Sequence, residues 1–313
     1  MKKLLAVVIA ALLCLGTAAV AEQTYSVGIC QLVQHPALDA ATQGFIDALT
    51  EALGDAVRVE SLNASGDSNT CSTIVNQFIA DNVDLIMCNA TPALQAAVAA
   101  TGDIAILGTS VTDYGTALDI DDWTGVTGIN VSGTSDLAPL DQQAAMIAEL
   151  FPDAQNVGLL YCSAEPNSRY QITVIEGYLD ALGLSYTEYT FADSNDVASV
   201  VQSACDGSDV LYIPTDNTAA SCTEAIRNVI EPALKPVIAG EEGICAGCGV
   251  ATLSISYYDL GYATGEMAAE VLANGADVSA MPIQFAPSVT KEYNAELCEI
   301  LGVSVPEDYV AIG

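Results

Sequence analysis

Val27-Gly28-Ile29-Cys30 is an apolar run of strand length, and Val157-Gly158-Leu159 repeats its pattern in the second half of the chain. Outward from this pair the two halves keep in step. Ala52-Leu53-Gly54 matches Ala181-Leu182-Gly183, and Asp67-Ser68-Asn69 matches Asp193-Ser194-Asn195. Asp84-Leu85-Ile86 matches Asp209-Val210-Leu211, and Ile106-Leu107-Gly108 matches Ile238-Ala239-Gly240. A repeat of about 125–132 residues is far longer than a solenoid unit, so it reads as two domains of one fold.

Within each half, apolar strands alternate with helical stretches. The first half predicts strands over 27–30, 57–62, 83–88 and 104–108, with helices over 39–53, 71–81 and 92–100. The second predicts strands over 156–162, 185–190, 209–214 and 236–240, with helices over 171–182, 197–205 and 218–229. Such alternation argues for parallel βαβ units, hence an α/β chain with two Rossmann-like lobes. The expected boundaries are an N-terminal lobe over 22–137 and a C-terminal lobe over 138–252, linked near Leu137 to Leu140. A segment of about 253–281, with a helix from Tyr258 to Ala273, returns to the first lobe, and 282–313 can pack on either. Open α/β sheets bind ligands beyond the carboxyl ends of their strands. Two facing lobes therefore make a ligand cleft between them.

The first 21 residues read as a signal peptide. Lys2 and Lys3 give a positive start, Leu4 to Leu15 an apolar core, and Ala19-Val20-Ala21 an A-x-A cleavage site. This predicts a periplasmic, extracellular or cell-surface protein, cleaved after Ala21. Cys14 offers a competing lipid anchor, but Leu13 stands where lipoprotein cleavage wants a small residue. Without Lys2 and Lys3, five basic residues face 40 acidic ones. That field repels phosphate backbones and excludes nucleic-acid binding. Nine cysteines follow Cys14, including Cys245-Ala246-Gly247-Cys248. With His35 the only histidine, this C-x-x-C lacks the second ligand pair of a zinc site and reads as a loop disulfide or two plain thiols. No metal or cofactor is expected. No P-loop, G-x-G-x-x-G or G-x-S-x-G is present, so neither nucleotide binding nor catalysis has support.

The strand ends are rich in hydroxyls, amides and carboxylates. Thr91-Pro92 reads as a helix start, with Thr91 as cap and free N–H groups for a ligand carboxylate. Asp216, Glu241 and Glu165 face the same cleft and suit a ligand ammonium. The only basic residue near a strand end is Arg169, so a zwitterion fits better than a phosphate or a dianion.

Gln31-Leu32-Val33-Gln34-His35-Pro36-Ala37-Leu38-Asp39 resembles the opening motif of ABC-importer binding proteins of the tryptophan/tyrosine type. Ala90-Thr91-Pro92, Gly133-Thr134-Ser135-Asp136, Tyr161-Cys162-Ser163-Ala164-Glu165-Pro166-Asn167-Ser168, Pro214-Thr215-Asp216-Asn217-Thr218, Ala239-Gly240-Glu241-Glu242 and Tyr257-Tyr258-Asp259-Leu260-Gly261 extend the likeness, in order, over nearly the whole chain. Members more often carry Glu where this chain has Gln34. The resemblance implies a type I periplasmic-binding-protein fold with crossovers between the lobes. It implies a monomeric binding protein that closes on a small ligand and hands it to an ABC permease, with an aromatic amino acid as the expected ligand. A sensor of the same fold, or a binder of a nucleoside or peptide, is the competing reading. Carried over as ligand-binding residues are Gln34, His35, Thr91, Ser110, Ser135 and Asp136 from the first lobe. From the second come Ser163, Asn167, Asp216, Asn217 and Glu241. The expected arrangement sets the carboxylate near Thr91 and Ser135 and the ammonium near Asp216 or Glu241.

Overall fold

The computed structural model describes residues 24–312. The leader, its cleavage site and Cys14 lie outside them. The first lobe is a six-stranded sheet in the order β11-β5-β4-β3-β1-β2. Its strands are β1 (Tyr25–Gln31), β2 (Val57–Asn63), β3 (Leu85–Asn89), β4 (Ala105–Val111), β5 (Val131–Ser135) and β11 (Gln284–Phe285). The second is a seven-stranded sheet in the order β13-β12-β10-β9-β8-β6-β7. It comprises β6 (Asn156–Cys162), β7 (Ser185–Phe191), β8 (Val210–Ile213), β9 (Val237–Ala239), β10 (Ala251–Ser254), β12 (Thr290–Tyr293) and β13 (Val310–Ala311). All strand pairs are parallel except β10 with β12. The two-lobed parallel-sheet architecture is the one the internal repeat predicts.

In chain order the helices are α1 (Pro36–Leu53), α2 (Ser68–Ala80), α3 (Thr91–Ala100), α4 (Tyr114–Ala117), α5 (Leu140–Leu150) and α6 (Pro166–Leu182). They continue as α7 (Val197–Gly207), α8 (Asn217–Ser221), α9 (Thr223–Ile230), α10 (Glu242–Cys248), α11 (Tyr257–Asn274) and α12 (Ala295–Leu301). No described helix is long and apolar enough to cross a membrane.

Differences from the sequence reading have local causes. Helices α1 and α6 begin earlier than predicted, at Pro36 and Pro166, because proline suits the first helical turn, where its missing N–H costs nothing. The helix predicted over 218–229 breaks at Cys222 into α8 and α9. Strand β5, Val131-Ser132-Gly133-Thr134-Ser135, was missed because its residues are small and hydroxylic, although all five are buried. The C-x-x-C lies in helix α10 rather than a loop, and both of its thiols are free and buried.

The chain passes between the sheets three times. It crosses after β5, at residues 136–139, and again between β10 and α11, at residues 255–256. The third crossing lies between β11 and β12, at residues 286–289. The return to the first lobe thus begins after Ser254, and the tail is shared: β11 joins the first sheet, whereas β12 and β13 join the second.

Candidate functional site

Along the carboxyl edge of the first sheet, the strand order fixes a row of polar residues. Asp136 follows β5, Ser110 lies near the end of β4, Asn89 ends β3 with Thr91 just after it, and His35 follows β1. Backbone bonds tie the row together: Asp136 N donates to Val111 O at 3.3 Å and Ala90 N to Thr109 O at 3.0 Å. Two positions in the row hold backbone that L-residues rarely adopt. Ala90 has φ 92° and Ser110 has φ 55°. Strain of this kind collects at ligand sites, where the surrounding structure over-determines it.

Three helices open at the cleft without a side-chain cap, and each carries proline in its first turn: α1 after His35, α3 after Ala90 and α6 after Glu165. Thr91 was expected to cap α3. The cap is instead Ala90, and Thr91 takes the first helical position, which leaves its hydroxyl uncommitted. A helix end buried without a cap needs a partner from elsewhere.

Across the cleft, the second lobe presents the loops after β6, β8 and β9. Glu165 is the hub of the first two. Its carboxylate accepts from the Asn217 and Thr218 backbone amides at 3.0 and 2.8 Å, and from the Asn217 amide and Thr218 hydroxyl at 2.7 Å each. Asp216 is equally committed. One oxygen caps α8 through Ala219 N at 2.8 Å, and the other accepts from Cys162 N and the Ser168 hydroxyl at 2.7 Å each. Glu241 caps α10 through Gly243 N and Ile244 N at 2.6 and 2.5 Å. Asp216 and Glu241, both expected near a ligand ammonium, each cap a helix that opens at the cleft, Asp216 at α8 and Glu241 at α10.

The two lobes meet directly. His35 Nε2 lies 3.3 Å from Asn217 Oδ1. Thr91 and Asn167, from opposite lobes, line one small gap together with Asp113 and Tyr170. A cavity of about 200 Å³ lies beside them, between Leu32, Val33 and Pro92 on one side and Cys162, Glu165 and Asn217 on the other.

Six buried polar atoms at these strand ends have no hydrogen-bond partner in the protein: His35 Nδ1, Asn89 Oδ1, Thr91 Oγ1, Ser110 Oγ, Asp136 Oδ1 and Asn167 Oδ1. Buried polar groups are almost always paired, so each of these atoms calls for a partner from outside the protein, water or ligand. Five of the six residues were expected from sequence. Asn89 was missed, although it lies in a strand-end segment and is the one amide that closes an otherwise apolar strand. Its Nδ2 donates to Leu38 O at 2.8 Å and its carbonyl stays free. Ser135 is buried but committed, donating to Thr112 O at 2.8 Å. Gln34 and Ser163 are exposed and stand apart from the buried set.

The electrostatics are one-sided. Burial pushes the Asp136 carboxyl above its ordinary range, opposed by the Thr112 and Tyr257 hydroxyls; Tyr257 donates to Oδ2 at 2.9 Å. Burial, and then the neighbouring Glu165 charge, pushes Asp216 up to about 8. Burial pushes Glu241 up to about 7 against the two amides it accepts from. His35 is held below the ordinary imidazole value by burial, although Asn217, Glu165 and Asp39 pull the other way. No buried lysine or arginine accompanies these groups among the described residues. Nor does any described cluster of His, Cys, Asp and Glu suit a metal ion.

The family described as ABC transporter substrate binding protein matches residues 26–312. The chain is similar to a tyrosine-binding protein of Clostridioides difficile strain R20291, 36% identical over 264 residues, covering 82% of this chain and 75% of that one. It is also similar to the structure of an ABC domain in complex with L-Trp from Streptococcus pneumonia, with TM-score 0.86 and 31% identity, covering 91% of this chain and 96% of that one. Against the ligand-free, open structure of a substrate binding protein with adhesive properties from Clostridium difficile, the TM-score is 0.69 at 36% identity, covering 92% and 99%. Backbone likeness is thus lower to the open relative despite the higher identity, in keeping with two lobes drawn together as the His35–Asn217 contact requires. The match over residues 26–312, together with these relatives, shows that the chain belongs to the family of ABC transporter substrate-binding proteins.

Proposed function

We propose that this chain captures an aromatic amino acid between its lobes and delivers it to an ABC permease. The observation that carries the reading is the set of unpaired buried atoms on both lobes: His35, Asn89, Thr91, Ser110 and Asp136 against Asn167. Asp136 is the only buried acid of the cleft with an oxygen left over, so it takes the ammonium. The uncapped start of α3, with the Thr91 and Ser110 hydroxyls, takes the carboxylate through free N–H groups and the helix dipole. From Asp136 to His35 the row spans three strand spacings, about 14 Å, which accommodates the head group and an aromatic ring in line. Relatives that bind tyrosine and L-Trp support the ligand class. Export behind the leader, cleavage after Ala21 and action as a monomer complete the reading.

The test is a thermal-shift screen of the purified protein against the twenty amino acids, several dipeptides and nucleosides. A ligand that binds only the folded state raises the melting temperature by mass action. A shift confined to tryptophan, tyrosine or phenylalanine is expected. A shift with nucleosides or dipeptides and none with aromatic amino acids overturns the ligand assignment.

A further inference from the structure

The bonds already made in the cleft decide which kind of partner each vacant atom can take. Asn217 Nδ2 donates to Glu165 Oε2 at 2.7 Å, and the same oxygen accepts from the Asn217 backbone N–H. A carboxylate oxygen only accepts, so the Asn217 amide cannot be turned round, and its Oδ1 faces His35 Nε2 at 3.3 Å. That Oδ1 also only accepts, so Nε2 carries a hydrogen. Burial holds the imidazole below its ordinary pKa, so at neutral pH the ring has a single proton. Nδ1 is therefore a bare lone pair, on a side chain only 7% exposed, and the protein offers it no donor.

Asn89 and Asn167 have the same polarity. Asn89 Nδ2 spends its hydrogens on Leu38 O and Thr42 Oγ1, at 2.8 and 3.0 Å. Asn167 Nδ2 donates to Thr215 O at 3.1 Å and Glu165 Oε2 at 3.3 Å. Each leaves only a carbonyl oxygen free. The row thus lacks donors at both ends, at Asp136 after β5 and at His35 after β1, three strands away. An ammonium held at Asp136 carries all its hydrogens on one atom and cannot serve the far end. A hydrocarbon ring brings no hydrogen there, whereas an indole N–H or a phenol O–H brings one.

We propose that His35 Nδ1 is a specificity-determining acceptor for the ring N–H or O–H of the bound amino acid, so that the cleft selects tryptophan or tyrosine over phenylalanine. This selectivity rests on the aromatic amino-acid reading above and narrows it. Phenylalanine fills the same space but leaves Nδ1 buried without a partner. Orphaning a buried acceptor in a site shaped around it lowers affinity roughly tenfold or more.

His35 is the only histidine of the chain, so isotope-labelled histidine gives one imidazole signal set that needs no assignment. The nitrogen spectrum of the free protein should show Nε2 protonated and Nδ1 bare. Tryptophan or tyrosine should move the Nδ1 resonance to its hydrogen-bonded range, and phenylalanine should not. Calorimetry then compares tyrosine with phenylalanine, and tryptophan with its benzothiophene analogue, in which sulfur replaces the indole N–H. In the pair that contains the tighter ligand, the donor-bearing member should bind roughly tenfold tighter or more. His35→Gln keeps an N–H near the Nε2 position, has no acceptor at Nδ1, and should abolish that preference. A preference that survives in His35→Gln overturns the proposal, as does an Nδ1 resonance that phenylalanine moves as far as tyrosine does. Binding of aromatic amino acids without preference in the wild type overturns this selectivity alone, whereas no binding of any of them overturns the aromatic reading with it. The spectrum and the wild-type affinities decide the matter should His35→Gln not fold.

Discussion

Asp136, Asp216 and Glu241 carry the same functional group and end in different roles, because their neighbours differ. Glu241 spends both oxygens on the start of α10, and Asp216 divides its own between the start of α8 and the Cys162 amide and Ser168 hydroxyl, whereas Asp136 bonds Tyr257 through one oxygen and keeps the other free. Removing one partner of a buried charged hydrogen bond costs about 2–5 kcal/mol, so Asp136→Asn is expected to weaken aromatic amino-acid binding roughly thirtyfold or more, read by calorimetry. Asp216→Ala should instead lower the melting temperature of the unliganded protein, since it uncaps α8 and orphans the Cys162 amide. The same acids set a pH dependence. An unfolded aspartate ionises near 3.9, whereas folded Asp216 holds its proton up to about 8 and Glu241 up to about 7. Their contribution is full below the unfolded values and is lost as pH rises through the folded ones. The melting temperature should therefore fall from about pH 4 to about pH 8, and Asp216→Asn should flatten the upper part of that fall. Sequence could name the residues of the cleft because polar side chains at the ends of apolar strands stand out. It could not divide them into ligand contacts and helix caps, since a carboxylate before a helix reads the same in either role.

At the scale of elements, the closest pairing is α1 against α11, where small residues let the backbones meet. A Cβ on Gly261 would stand 1.9 Å from Ala41 O, and one on Gly44 would stand 2.1 Å from Tyr258 O. This contact holds α11, which follows the second crossing, on the first lobe. Gly261→Ala should cost about 1–3 kcal/mol of stability in a urea titration, because neither backbone can yield without separating the helices. Gly177→Ala on α6 is the control: nothing lies within 4 Å of its Cβ position, and it should be neutral or slightly stabilising. The helices and strands of the repeat were legible from apolar runs and glycine stops. The repeat gave no hint of β10, β12 and β13, because the short tail strands alternate no apolar face and borrow their order from the sheet they join.

For the whole molecule, closure is the function. The His35–Asn217 bond and the gap that Thr91 and Asn167 line together belong to the closed arrangement. Ligand should populate that arrangement by hinge closure, so small-angle scattering should give a smaller radius of gyration with the aromatic amino acid than without it. An unchanged radius in the presence of a ligand that raises the melting temperature would mean that binding and closure are separate events. The two-lobed plan was readable because the halves repeat. The third crossing was not, since nothing in residues 286–289 differs from an ordinary surface turn.

The three crossings also bear on how such a chain can change its ligand. Each lobe is assembled from separated stretches, so no single cut in the gene releases either one whole. Recombination at one point between two relatives would leave at least one lobe chimeric, with α11 or the β12–β13 tail set against a foreign sheet. A lineage with this topology is thereby steered away from exchanging lobes as modules, and its route to a new ligand runs through single substitutions at the strand ends.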